Sequence, residues 1–142
     1  MKKDVFLTEL NYIKNPEYRQ NAEILIELLP DYFFEVPASS TGKYHPAFAQ
    51  GSGGLVRHTK VAVRLAYELL ESMIGDIFKP EEKDLMILAL ILHDGLKHGL
   101  PKEIYVRFDH PLLIANFIKD NQNKTSFTAS EIDFLQNVVS SH

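Results

Sequence analysis

The sequence contains no cysteine. This absence excludes disulfide bonds, thiolate catalysis and zinc sites built from cysteine, and it fits a reducing compartment. The longest apolar run, residues 85–92, has eight residues, whereas a helix that crosses a bilayer needs roughly 20. Residues 1–11 also lack the apolar segment of a secretory signal peptide. We therefore expect a cytoplasmic protein that does not bind a membrane.

The sequence has fewer basic than acidic residues, 15 against 19. The net charge is −4, which argues against broad electrostatic binding to nucleic acid but leaves room for a small basic site. Hydrophobic residues make up 45% of the 142 residues, enough for the core of one domain, and no internal repeat divides the chain. The sequence predicts a single domain over residues 1–142, with a core over about 39–142 and N-terminal helices over 4–29. It does not indicate an oligomeric state.

Helical periodicity and helix-start residues predict an all-α domain, a compact bundle of five or six helices. We place these helices over residues 5–13, 16–29, 55–74, 80–94, 110–120 and 128–142. The helix over 80–94 is apolar on all sides, so it should be central. Asp109 and Thr128 are expected to cap the last two helices. Between the second and third helices, residues 37–54 are expected to form a loop of about 18 residues rich in glycine, serine and proline, and loops of this length are usually functional or disordered.

Four of the six histidines fall on the apolar faces of four predicted helices, and these are His58, His93, His110 and His142. The stripe that contains His58 continues through Ala62, Leu65 and Leu69, and such stripes are expected to face the core. A single histidine on an apolar face is more often a core residue than a metal ligand. Several buried imidazoles near one carboxylate are hard to satisfy with hydrogen bonds alone, and a divalent cation held between helices would satisfy them together.

Two short motifs carry a family resemblance. The segment "GGLVRHT" contains His58, and the dipeptide "HD", His93 and Asp94, follows 35 residues later at the end of an apolar helix. Together they resemble the HD superfamily of metal-dependent phosphohydrolases. The resemblance covers roughly residues 39–142, and it implies an all-helical fold with a metal at its centre. It also implies that His58, His93 and Asp94 are the first three metal ligands.

The resemblance assigns further residues to the site. Lys97 stands where the HD-x-x-K branch, which includes the HD-GYP phosphodiesterases, has a lysine that contacts substrate phosphate, although Gly95 and Leu96 reverse the familiar Ile-Gly order. His110 in "DHP" and His142 in "SSH" resemble the additional histidines of branches that bind two metals.

The loop before His58 resembles that of a 3′–5′ exoribonuclease branch. This likeness implies that His45 lines the site, where Lys43 and His45 would contact phosphate or donate a proton. The implied catalytic residues are thus Asp94, Lys97 and His45, and the implied substrate-binding residues are Lys43, His45 and Lys97.

One departure from the family concerns the last ligand, which is usually an aspartate or histidine on a helix near the C-terminus of the domain. His142 fills this place, or Asp109 substitutes for it, or the sequence is shortened. Lys60 and Arg64 are expected on a solvated surface, and His98 is left outside the metal shell.

The expected activity is metal-assisted hydrolysis of a phosphate mono- or diester of a nucleotide, with one or two divalent ions drawn from Mn, Fe, Ni, Co, Zn and Mg. Three alternatives remain open from the sequence. The first is an exonuclease-like phosphodiesterase that acts on short nucleic acid. The second is a regulatory HD module that binds metal and nucleotide with little turnover. The third is a metal-free helical interaction domain in which the histidines belong to the core.

Overall fold

The structure is a computed structural model that describes residues 1–39 and 46–141. The predicted site residues Lys43, His45 and His142 lie outside the described residues. The described part contains six α-helices and no strand, which confirms the all-α prediction: α1 Leu7–Tyr12, α2 Pro16–Leu28, α3 Gly54–Leu70, α4 Pro80–Leu92, α5 His110–Asp120 and α6 Ala129–Ser140. Short 3-10 helices lie at Lys2–Phe6, Asp31–Phe34, Ala47–Ala49, Met73–Ile77 and Gln122–Lys124. Within these residues, no helix combines the length and the apolar character needed to cross a bilayer.

Helix α4 lies at the centre of the bundle, as its apolar sequence predicts. It packs against α1, α2, α3 and α6. Leu88, Ile91 and Leu92 are at most 1% exposed, so little of this helix meets solvent. The buried side chains of the N-terminal and C-terminal helices join the same hydrophobic core. Because α4 ends at Leu92, the HD dipeptide emerges directly from the most buried helix of the domain.

Side-chain caps explain where two of the helices begin. Asn15 accepts hydrogen bonds from the backbone N–H groups of Glu17 and Tyr18 at 2.9 and 3.2 Å, with Pro16 at the first helical position. Thr128 and Glu131 form the predicted capping box at the start of α6. Each cap joins residues within three positions of one another, so a sequence pattern can reveal it. The capping box at Thr128 was predicted in this way.

The predicted cap at Asp109 is wrong in its mechanism. Asp109 does occupy the N-cap position of α5, but its carboxylate makes no bond to the first turn. Instead, its two oxygens accept from Nε and Nη2 of Arg107 at 2.8 and 2.7 Å. A charged guanidinium is a stronger donor than a backbone N–H group, so the carboxylate binds Arg107 rather than the first turn of α5.

Helix α3 buries a different stripe from the one predicted. Thr59 and Val63 are fully buried, whereas Leu65 and Leu69 are 57% and 55% exposed. The expectation that Leu65 and Leu69 face the core is therefore wrong. The buried stripe has the predicted spacing but is displaced by one residue, which is a rotation of about 100° around the helix. Helix α3 also ends at Leu70, before the predicted residue 74.

Lys60 also departs from its expected solvated position. Its ammonium binds Oε1 of the buried Glu9 at 2.5 Å and the carbonyl of Val5 at 2.6 Å, so it joins α3 to α1. Arg64 is exposed, as predicted, and pairs with Glu68 on the same helix.

Helices α3 and α4 run antiparallel, and Lys14 shows which ends meet. Its backbone N–H group donates to Asp84 near the start of α4 at 2.9 Å, and its ammonium binds Glu71 at the end of α3 at 2.6 Å. The end of α3 and the start of α4 therefore share one end of the bundle. His58 in the second turn of α3 and His93 after α4 consequently lie toward the other end, called here the HD end.

Candidate functional site

The HD dipeptide opens a tight turn that extends from His93 to Gly99. Backbone bonds at 2.8 Å from Gly95 to Leu92 and from Gly99 to Leu96 hold this turn against the end of α4. A Cβ atom at position 95 would lie 2.6 Å from Cδ2 of Leu29, a fully buried side chain. Only glycine therefore fits at position 95 without movement of its neighbours. This close approach is a physical reason for the glycine that directly follows Asp94.

Asp94 lies between two imidazoles at the HD end. His93 Nε2 is 3.2 Å from Oδ2 of Asp94, and His110 Nε2 is 3.2 Å from Oδ1. The three side chains are between 7% and 14% exposed. Helix α5 contributes His110 from its first position, so the structure brings together two of the predicted elements at one carboxylate.

The other ring nitrogens define how these imidazoles are oriented. His93 Nδ1 lies 2.5 Å from the carbonyl oxygen of Leu90, and His110 Nδ1 lies 2.6 Å from that of Arg107. A carbonyl oxygen only accepts, so Nδ1 carries the hydrogen in both rings. In a neutral ring, Nε2 is then an acceptor. Two acceptor nitrogens thus face two carboxylate oxygens, and each pair requires a proton or a cation between its atoms.

The distances within these pairs suit a coordination sphere. Two ligand atoms that each lie about 2.1 Å from one cation are about 3.0 Å apart in octahedral and about 3.4 Å apart in tetrahedral geometry. The observed separations of 3.2 Å fall within this range. An Nδ1–H group that donates to a backbone carbonyl is also the usual support of a histidine that binds metal through Nε2. The donor chemistry of the three side chains therefore fits a divalent cation.

The described residues do not by themselves complete such a sphere. Within residues 1–39 and 46–141, no three histidine, aspartate or glutamate side chains are grouped so that they could hold one metal ion. Asp94 instead gives one oxygen to each imidazole, so the three side chains form two pairs that share a carboxylate. His58 is half-buried and lies toward the same end, but it does not form a three-ligand group with His93 and Asp94. Its role as a ligand stays a prediction.

Lys97 points into the protein. The residue is 9% exposed, and its ammonium donates to the carbonyl oxygen of Ala38 at 2.5 Å. This bond ties the turn after Asp94 to the residues that lead into the loop with Lys43 and His45. On the far side of that loop, the guanidinium of Arg57 donates to three backbone carbonyls, those of Phe48, Gln50 and Ser52. Both ends of the loop are therefore fastened near the HD end.

Tyr32, which the sequence analysis did not identify, explains why His98 is a core residue. The Tyr32 hydroxyl donates to the carbonyl of Gly99 at 2.7 Å and accepts from the backbone N–H of His98 at 3.1 Å. The His98 ring packs edge-on against the Tyr32 ring, and burial lowers the pKa of His98 while it raises that of Tyr32 to about 12. Both groups are therefore uncharged at neutral pH.

Arg107 is a second residue that sequence reasoning missed. Its backbone N–H group donates to the carbonyl of Lys97 at 2.8 Å, and its own carbonyl oxygen faces His110 Nδ1. Its guanidinium holds the pKa of Asp109 below the usual range through the hydrogen bonds between the two side chains. Asp109, considered above as a substitute ligand, is thus engaged by Arg107. The sequence "RFDH" offered no signal that could assign the arginine to this position.

The segment from Leu100 to Phe108 connects the turn after Asp94 to His110 and exposes several apolar side chains, which we call the apolar rim. Ile104, Tyr105 and Phe108 are 82%, 69% and 96% exposed. The backbone of this segment is fixed at both ends, because Glu103 donates to the carbonyl of His98 at 2.6 Å and Arg107 donates to that of Lys97. Exposed aromatic rings on a fastened backbone are typical of surfaces that bind a planar or apolar group.

Comparison of the chain with protein-family models, with curated proteins and with solved structures gives no match.

Proposed function

We propose that the protein is a metal-dependent phosphohydrolase that hydrolyses a phosphate mono- or diester of a nucleotide. The supporting observation is the pair of imidazole Nε2 atoms that face the two oxygens of the buried Asp94 carboxylate. Imidazole nitrogen together with carboxylate oxygen is a donor set that suits Mn, Fe, Co, Ni and Zn. The resemblance to the HD superfamily likewise implies that His93, Asp94 and His110 are metal ligands.

In this proposal, one or two divalent ions are held by the ligand set His58, His93, Asp94, His110 and His142. A divalent ion at this position would supply an activated water and would polarise a phosphoryl oxygen. The protein contributes orientation, because the carbonyl groups of Leu90 and Arg107 fix the direction of both rings. Asp94 contributes negative charge to both pairs, and it would bridge the ions if two are bound.

Lys97 supplies a positive charge beside the loop of Lys43 and His45. A buried ammonium needs polar or anionic partners, and the carbonyl of Ala38 is one of them. We propose that substrate phosphate is another, so that Lys43, His45 and Lys97 together bind it. His45 would act as the proton donor to the leaving group. The compact ammonium of lysine suits such a role as a point charge.

The apolar rim favours a nucleotide over a simple phosphate ester. Phe108 lies two residues before His110, and Tyr105 lies in the same fastened segment. Stacking of a nucleobase on an aromatic side chain contributes about 1–3 kcal/mol to binding. We propose that Tyr105 and Phe108 receive the base while the phosphate lies at Asp94.

Metal content and hydrolysis test this proposal together. Metal analysis of protein purified without chelator should find bound transition metal in the wild type and a large loss in His93→Ala and Asp94→Ala. Asp133→Asn, an exposed aspartate on α6, is the matched control and should retain the metal. Hydrolysis is then measured over nucleoside monophosphates, nucleoside triphosphates, cyclic nucleotides, linear dinucleotides and short RNA. Equal metal content in all four proteins, or no turnover of any substrate, would contradict the proposal.

A regulatory module that binds metal and nucleotide with little turnover is the second candidate. It is favoured by the engagement of the Lys97 ammonium with the carbonyl oxygen of Ala38, which occupies the cation proposed to bind substrate phosphate. Such a module would be stabilised against heat by nucleotide and metal but would release no product. Thermal melts recorded beside an assay that detects both released phosphate and the nucleotide product of diester hydrolysis separate this candidate from the enzyme.

A further inference from the structure

The outward face of α3 and of the turn after it carries a continuous set of exposed apolar side chains. We call this set the outer stripe, and its members are Val61, Leu65, Leu69, Met73, Ile74 and Ile77. Their exposed fractions range from 42% for Val61 to 86% for Met73. The first three members recur every four residues along α3, which keeps them on one side of the helix. The outer stripe takes no part in the proposed chemistry, because it runs from the middle of α3 away from the HD end.

The 3-10 helix Met73–Ile77 belongs to the same surface as α3. Gly75 packs so closely against the backbone of Leu70 that a Cβ atom at Gly75 would lie 1.8 Å from the carbonyl oxygen of Leu70. The turn therefore packs closely against the end of α3. Its own members, Met73, Ile74 and Ile77, extend the apolar surface of the helix.

The exposed area of the outer stripe is large for a protein of this size. Each of the six residues is between 42% and 86% exposed, so together they present an apolar surface on the order of several hundred Å². The largest apolar patch on a monomeric protein is typically about 300–600 Å², and larger patches mark interaction sites.

Two charged residues beside the outer stripe, Arg64 and Glu68, indicate which partner it binds. Arg64 and Glu68 flank Leu65, and their side chains are 72% and 60% exposed. Within one chain they form an ion pair at 3.4 Å, which at this exposure stabilises the protein little and can be exchanged for another. If two α3 helices pack antiparallel about a two-fold axis near Ala66, Arg64 of each lies beside Glu68 of the other. The surface is thus complementary to itself, as an isologous interface requires.

We propose that the outer stripe binds a second copy of this chain, so that two α3 helices pack antiparallel across a two-fold axis. Leu65 and Leu69 form the centre of the interface. Arg64 and Glu68 form two identical ion pairs at its edge.

Charge exchange tests this geometry directly. Sedimentation velocity of the full chain over a range of concentrations should show a monomer–dimer equilibrium for the wild type. Arg64→Glu and Glu68→Arg should each raise the dimer Kd about tenfold, because each places two pairs of like charges across the axis. The double variant Arg64→Glu/Glu68→Arg restores opposite charges in reversed order and should return the Kd to within about threefold of the wild type.

A central substitution and its control complete the experiment. Leu65→Asp should abolish the dimer, whereas Leu112→Asp, on α5 with a similar exposure of 61%, should leave the Kd unchanged. Thermal melts of each variant verify that the monomer still folds, which is expected because the substituted side chains are exposed. A wild type that is monomeric at every concentration would overturn the proposal. So would a dimer whose Kd does not respond to Leu65→Asp, or one that the double variant fails to restore.

Discussion

Asp94→Asn is the substitution that separates a metal site from a pair of protonated histidines. The two side chains have nearly the same shape, so packing around position 94 should be preserved. The change removes the negative charge and replaces one of the two oxygens, each of which faces an imidazole Nε2 at 3.2 Å. An amide nitrogen donates rather than accepts, so it can hydrogen bond to a neutral Nε2 but cannot bind a cation beside it.

The size of the effect follows from the number of contacts that are lost. Loss of an outer-shell partner of a metal ligand weakens metal binding about 10–100-fold, and Asp94 is itself the carboxylate shared by both pairs, so we expect about 100-fold. A metal at 100 times the wild-type Kd stabilises the folded protein by about 2.7 kcal/mol, but by only about 0.4 kcal/mol when the Kd is raised 100-fold. At roughly 3 °C per kcal/mol for a domain of this length, metal should raise the Tm of the wild type by about 8 °C and that of Asp94→Asn by about 1 °C.

The assay is a thermal melt of each protein in chelator and then with Mn, Co, Ni or Zn. Asp133→Asn serves as the control for the loss of one exposed negative charge and should behave as the wild type does. In chelator, Asp94→Asn should be at least as stable as the wild type at neutral pH, because its amide can donate to one of the two acceptor nitrogens. An equal shift in Tm for the wild type and Asp94→Asn would refute the metal assignment. No shift in the wild type with any of the metals would refute it as well, and protons would then bridge the two pairs.

Three further predictions address the turn, the rim and the core histidine. Gly95→Ala should cost about 1–3 kcal/mol through its contact with Leu29, and combining it with Leu29→Ala should cost less than the sum of the two single changes; strict additivity in denaturant melts would contradict this. Phe108→Ala should raise KM about tenfold for a nucleotide but not for glycerol phosphate, and equal effects on both would exclude a role in base binding. Burial lowers the folded-state pKa of His98 below that of the unfolded chain, so its contribution to stability is complete above about pH 6.5 and declines as the pH falls below that value. His98→Asn should therefore destabilise the protein more at pH 8 than at pH 5.5, and equal losses at both pH values would contradict this reasoning.

Local sequence signals predicted the helices well because the interactions behind them are local. The Thr128 capping box and the proline at the start of α4 act within one turn, and the all-round apolar character of α4 requires a central position. The rotation of α3 was not predictable in the same way. Two stripes with the same spacing, one through Leu65 and the other through Val63, compete for the core, and only packing against α4 and the neighbouring elements decides between them. Periodicity shows that a face exists but does not identify which of two apolar faces is buried.

Some features of the candidate site were also predictable from the local sequence, whereas others depend on tertiary packing. The end of an apolar helix predicted where His93 and Asp94 would lie, and the offsets from His110 to its apolar neighbours predicted that this imidazole would face inward. The 3.2 Å approach of His110 to Asp94 depends on more than α5. The backbone of Arg107 binds Lys97 on one side and faces the His110 ring on the other, which closes the chain between residues 97 and 110. Because backbone groups make both contacts, the side chain at position 107 carries no sequence signal for them, and the connection from Asp94 to His110 becomes visible only once the chain is folded.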